Sequence, residues 1–160
     1  MLENVFSSVK PPLVYKTMIA TMAAGKLFLW PTATPIFSSS NNWIGMIVGV
    51  PTFVGGALLA IAPKKLFQKT NTPMMGGPSS DSPLHTSHAF AYTRNPMYLG
   101  ISIGLAGVAL MTNCLWHLML FPFLNALIMD TFYIPKEEKE LLNKFGKDYV
   151  RYKNKVRRWI

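Results

Sequence analysis

Acidic residues are scarce in this chain: 7 Asp and Glu stand against 16 Lys and Arg, a formal charge of +9 over 160 residues. Cysteine is scarcer still. Cys114 stands alone, which excludes an intrachain disulfide and any cysteine-rich metal cluster. Lying between apolar runs, it reads as a small membrane-buried residue. Charged residues of both signs make up only 14% of the chain and apolar ones half, a balance that leans towards a membrane protein. A basic excess fits nucleic acid when it gathers on one soluble face. Here the basic residues are interleaved with hydrophobic spans, so nucleic-acid binding is not expected. The opening "MLENVFSSVKPP" has no basic segment followed by an apolar run, so no cleaved signal peptide is expected. Nor does either end show a lipidation signal. His85 and His88 lie close together in the sequence but have no third partner, so no metal site is expected.

What the chain does have is apolar length. The 160 residues suit one domain, taken as 1–160, and four stretches have the character of bilayer crossings. The first, about 13–33, is interrupted by Lys16 and Lys26. The second, 43–62, "WIGMIVGVPTFVGGALLAIA", carries no charge over the ~20 residues a bilayer requires, and Pro51 is expected to kink it. A single run, 97–134, is too long for one crossing; "MTNC" at 111–114 offers a turn, which makes the run a helical hairpin whose second arm bends at Pro122. Small residues in "GISIGLAG" (100–107) recur every three or four positions, a pattern that lets helices approach closely.

Charge then sets the topology. Segments 34–42 and 112–115 hold no Lys or Arg, whereas the N-terminal end, the 63–96 loop and the tail after 135 hold all the basic residues except Lys26. Four crossings put those three regions on one side, cytoplasmic by the positive-inside rule, with both termini there. Lys26 can snorkel to the far interface, beside Trp30. The expected membrane is the endoplasmic reticulum in a eukaryote or the inner membrane in a bacterium. The 63–96 loop, with "NTPMMGGPSSDSP", is read as a cytosolic loop. In the tail, 136–160, Leu141, Leu142, Phe145, Tyr149, Tyr152 and Val156 recur at helical steps among Lys, Arg and Glu. This predicts an amphipathic helix lying on anionic membrane lipids, with Gly146 a weak point or a close contact within it. The expected fold class is therefore an all-α membrane protein, about four transmembrane helices plus an amphipathic C-terminal helix.

Two helix starts carry chemistry. In "YTRNPMYLG" (92–100), Asn95 is a good N-cap and Pro96 suits the first helical position. The first turn offers unpaired N–H groups and the positive end of the dipole, and Arg94 adds a forked cation suited to a carboxylate. At the same membrane face, "IPKEEKELL" places Pro135 at another expected helix start, with Glu137 and Glu138 in its first turn. The plainer readings are a basic boundary marker for Arg94, an interfacial aromatic for Tyr98 and a dipole complement for the two acids. The sharper reading is that a basic and an acidic helix start together hold a zwitterion.

"SHAFAYTRNPMYLG" (87–100) and "PKEEKELLNKFGKDYVRYKNKVRRWI" (135–160) resemble the isoprenylcysteine carboxyl methyltransferase and phospholipid methyltransferase superfamily of small integral-membrane enzymes. The resemblance covers roughly 65–160. It rests on an Arg-(His or Asn)-Pro-x-Tyr-x-Gly segment, a Glu-Glu pair after the last crossing and a Phe-Gly-x-x-Tyr-x-x-Tyr tail, in that order. It implies S-adenosylmethionine as cofactor, in a cytosol-facing pocket. By that likeness Arg94, Asn95, Pro96, Tyr98 and Gly100 line one side and Glu137 and Glu138 the other; Arg94 and Glu138 are the expected catalytic pair, and Tyr92 and Tyr98 are candidates for packing on adenine. The chain departs from the pattern at His88 and Ala89, where Gly-Pro is common, and at Asn95, where His is commoner. No strand leads into a glycine-rich turn, so the soluble methyltransferase architecture is not indicated. The expected reaction is methyl transfer to a lipophilic acceptor, with a prenylated cysteine carboxylate slightly ahead of a phospholipid amine or a small thiol. A membrane reductase and a non-enzymatic membrane scaffold are the alternatives from other classes.

Overall fold

The structure, a computed structural model, describes residues 16–22, 24, 34–70 and 82–160. Its elements are α1 (Asn42–Lys69), α2 (Pro96–Met111), α3 (Leu115–Ile128), a π-helical turn (Met129–Tyr133), α4 (Ile134–Phe145) and α5 (Lys147–Lys155), with short 3-10 turns at Ser39–Asn41 and His88–Ala91. Among the described residues there is no strand, as expected of an all-α protein.

Two helices are long and apolar enough to cross a membrane, Asn42–Lys69 and the continuous helix Leu115–Phe145. Large side chains such as Trp43, Leu58, Trp116 and Phe123 point outward along them, at 59%, 66%, 65% and 70% exposure, a surface made for lipid rather than water. α2 is apolar but has 16 residues, about 24 Å of helix against a hydrocarbon core of about 30 Å. Of the first expected crossing, residues 16–22 are helical and bring Met18 and Met22 into a core with Tyr98, Leu105, Ala109, Phe121, Met129 and Ile134. The remainder of 13–33 lies mostly outside the described residues.

α1 and α2 meet backbone to backbone. A Cβ at Gly56 would lie 2.5 Å from the Gly100 carbonyl oxygen and the Gly104 nitrogen, and one at Gly100 equally close to the Ala60 nitrogen and Gly56 oxygen. Glycine is what makes that separation available. The expected hairpin is present: Thr112–Cys114 joins α2 to α3, and Asn113 adopts φ 49°. Asn is among the few residues that tolerate this conformation. Its side chain also clamps the loop before α1, with Oδ1 accepting from Phe37 N at 2.8 Å and Nδ2 donating to Phe37 O at 3.0 Å. Leu115 N donates to Thr34 O at 3.0 Å. The two segments free of Lys and Arg are thus joined at one end of the bundle.

Three expectations need correction. First, α1 does not stop near 62 but runs to Lys69, so Pro63, Lys64 and Lys65 belong to the helix rather than to the loop. Second, α4 does begin with Pro135 among its first residues, as expected, but this is not a free helix start, because the helical path runs on unbroken from α3. The π-turn closes an Ile134 N–H to Met129 O bond, one residue wider than an α-turn. Such a bulge takes up a proline ring and its missing donor without ending the helix. Glu137 and Glu138 consequently lie inside one continuous helix, and the dipole argument for them does not apply. Third, the tail is not a single amphipathic helix. Gly146, at φ 50° and ψ −120°, separates α4 from α5, and the chain leaves helical geometry again at Val156. A Cβ at Gly146 would meet nothing within 4 Å, so the glycine serves conformation rather than close packing.

Candidate functional site

The chain before α2 makes a 3-10 turn, passes through Thr93 and Arg94, and enters the helix at Asn95 and Pro96. Pro96 stands at the first helical position, as expected, and is fully buried. Asn95 is the cap residue, yet its side chain makes no capping bond. Instead its Nδ2 donates to the Arg158 carbonyl at 3.0 Å, while the Thr93 hydroxyl accepts from Asn95 N at 3.2 Å and donates to that same Arg158 carbonyl at 3.2 Å. Arg94 N donates to Arg157 O at 3.0 Å. The end of the chain therefore lies across the start of α2 as a strap.

Arg94 turns inward and meets Glu138, Nη2 to Oε1 at 3.1 Å, with only 8% and 11% of the two side chains exposed. Two signatures more than forty residues apart have come together on one side of the bundle. An ion pair this buried loses most of its hydration, and breaking it from one side leaves a charge that is costly to bury. Arg94 Nε and Nη1 are buried and meet no acceptor in strict hydrogen-bond geometry, although the guanidinium interacts with the Tyr149 hydroxyl beside it. Buried donors of this kind are rare and favour an added acceptor. Glu138 is gripped a second time by Arg158, which donates from Nε to Oε1 at 3.1 Å and from Nη2 to Oε2 at 2.9 Å, the bidentate fork. Lys153 Nζ lies 3.5 Å from Oε2. The hydrogen bond to Glu138, more than any other interaction, holds the Arg158 guanidinium more firmly protonated than usual. Asp130, on the π-turn, accepts from Arg158 Nη1 at 3.0 Å and from Trp159 Nε1 at 3.1 Å.

Beside this cluster the Tyr98 hydroxyl donates to Glu137 Oε1 at 2.6 Å. Tyr149, on α5, is 2% exposed. Burial first, and the Glu138 carboxylate second, push its hydroxyl up to about 12, with Arg94 pulling the other way. Tyr152 is raised too, mainly by burial, and donates to the Phe90 carbonyl at 2.7 Å. Both tyrosines are neutral walls to a charged site.

Of the residues expected at the site, Arg94 and Glu138 are in direct contact, and Tyr98 and Glu137 form the adjacent pair. Asn95 and Pro96 shape the chain around Arg94. Two others are placed elsewhere. Tyr92 is 83% exposed, so no packed aromatic platform is built from it. Gly100 faces α1 in the glycine seam, where its role is close packing. Asp130, Tyr149, Lys153, Arg158 and Trp159 were not anticipated. A signal did exist for Asp130, an acid within an apolar run, since such residues face a protein interior and find partners there.

A profile of the family described as phospholipid methyltransferase matches residues 44–148. This chain belongs to the phospholipid methyltransferase family. The match begins in α1 and ends in α5, so it covers the Arg-Asn-Pro segment, the hairpin and the Glu-Glu pair and stops just before Tyr149. Membership makes it a methyltransferase of a membrane-associated family, in keeping with two helices of membrane-crossing length. An uncharacterized protein of Haemophilus influenzae is 43% identical over 65 residues, which is 40% of this chain and all of that relative. No solved structure matches.

Proposed function

We propose that the protein transfers a methyl group from S-adenosylmethionine to a lipophilic acceptor at the membrane surface. The observation that carries this is the 3.1 Å contact of Arg94 and Glu138, one from each signature, with Arg94 Nε and Nη1 buried beside it. Those buried donors fit the cofactor's carboxylate, and the Glu137 and Glu138 carboxylates fit its ammonium or ribose hydroxyls, so the residues present suit the group. When bound, S-adenosylmethionine supplies an electrophilic methyl on a sulfonium. Everything else falls to the chain: Arg94 and the two acids fix the donor's orientation, the Tyr98 hydroxyl steadies Glu137, and the buried tyrosines exclude water. Orientation of this kind contributes about 7–11 kcal/mol to a displacement reaction. An acceptor entering from the lipid side then meets a cofactor entering from the basic face. If the acceptor is an amine it must lose a proton, and Glu137 is the carboxylate suited to take it.

Four crossings with the basic loops and both termini on the cytoplasmic side complete the proposed arrangement, as charge suggests. The acceptor classes are a prenylated cysteine carboxylate, a phospholipid amine and a small thiol; the sequence favours the first slightly, and the family's description favours the second. The test begins with the purified protein in lipid nanodiscs, titrated with S-adenosylmethionine and its demethylated product. Saturable binding is expected, followed by transfer of labelled methyl to a component of membrane lipid extracts. Absence of binding to either compound, or binding of a nicotinamide cofactor in their place, would overturn the reading.

A further inference from the structure

We infer that Arg158 is a positioning residue for the candidate site, acting through Glu138, and that the strap carrying it, 156–160, aligns the two signatures. The inference rests on the functional reading above for what the site binds, but its geometry is independent of it. One residue grips both halves of the site. Its guanidinium forks onto both oxygens of Glu138, and its carbonyl accepts from Thr93 and Asn95, the two neighbours of Arg94. The next carbonyl back, that of Arg157, accepts from Arg94 N itself. Arg158 is in turn anchored from below by Asp130, which also receives the Trp159 indole N–H.

The chemistry calls for such a device. Arg94 reaches Glu138 through Oε1 alone, and Lys153 lies a looser 3.5 Å from Oε2, two single-point contacts that fix no plane for the carboxylate. The fork removes that freedom by fixing both oxygens in one plane. It also supplies a closer and less exposed charge than Lys153, 3.5 Å from Oε2 and half exposed, so Arg94 can turn its remaining donors to a ligand with the buried acid still firmly paired. Asp130 offsets the charge that Arg158 adds. A strap that only packed would need neither the fork nor the acid on the π-turn.

The test uses the full chain in nanodiscs and reads the dissociation constants of S-adenosylmethionine and S-adenosylhomocysteine. Arg158→Ala is expected to weaken both at least 10-fold, Arg158→Lys to an intermediate degree, and the control Arg151→Ala, in an exposed pair with Asp148, not at all. Guanidinium ion at a non-denaturing concentration is expected to restore part of the Arg158→Ala loss. In a Glu138→Gln background Arg158→Ala is expected to add little. Wild type that binds while Arg158→Ala binds equally well would overturn this inference and leave the functional reading standing. A loss that guanidinium does not reverse, and that adds in full to Glu138→Gln, would overturn it too by reducing the strap to a packing element. Wild type that binds neither compound would instead bring down the functional reading, and the positioning role with it.

Discussion

At the scale of single residues, the site is a small number of charges whose neighbours are neutral. Tyr149 illustrates the consequence. Its hydroxyl titrates near 12 in the fold against 10.0 ordinarily. Because the folded value is the higher one, the stability it contributes is complete below pH 10 and is lost as the pH rises through about 12. Thermal melts over pH 8–12 are expected to show that decline, and Tyr149→Phe to lessen it. Gly146 tests a different residue-level claim. Its positive φ with extended ψ lies in a region almost reserved for glycine, and no atom stands where a Cβ would go. Gly146→Ala is therefore expected to cost about 1–3 kcal/mol through backbone strain alone, seen as a lower melting temperature without a change in helix content.

At the scale of elements, some of the fold was legible and some was not, for physical reasons. "MTNC" marked the hairpin because Asn is one of few residues that turn the chain with positive φ, and Asn113 does so. "GISIGLAG" marked a close helix contact because only small residues let backbones meet, and Gly100, Gly104 and Gly107 form it with α1. Pro135 misled, since a proline after an apolar run ordinarily ends a helix. Nothing local in "MDTFYIP" announces the π-turn that lets the helix continue through it. Asn95 was rightly placed at the start of α2, but its amide goes to Arg158, 63 residues away. Capping preference is local, and a distant acceptor overrides it. The strap was not legible at all, because "KVRRWI" has no period and its partners come from three separate elements. The seam yields a prediction: Gly100→Val is expected to separate α1 from α2 and lower the melting temperature sharply, as Cβ would meet backbone on both sides. Asn113→Ala, which removes the two Phe37 bonds, is expected to cost about 1–3 kcal/mol.

At the scale of the whole molecule, polarity along the bundle organises everything else. The end that joins Phe37 to Asn113 carries no Lys or Arg in its connecting segments, and the end that joins 93–95 to 157–158 carries Arg94, Lys153, Arg157 and Arg158. In sealed vesicles of a Cys114→Ser chain, Ser38→Cys and Arg151→Cys are expected to react with an impermeant maleimide from opposite sides. Labelling from the same side would contradict the crossing pattern. The proposed function is local to the basic end, with Arg94 and Glu138 acting as one unit on one ligand. The most direct measurement is a double-mutant cycle, Arg94→Ala and Glu138→Gln singly and together, read as the dissociation constant of S-adenosylmethionine in nanodiscs. Each single change is expected to weaken binding at least 10-fold, and the double change to cost less than the two combined, a coupling of about 0.5–3 kcal/mol. Affinity unchanged in both single variants, or losses that simply add, would contradict it.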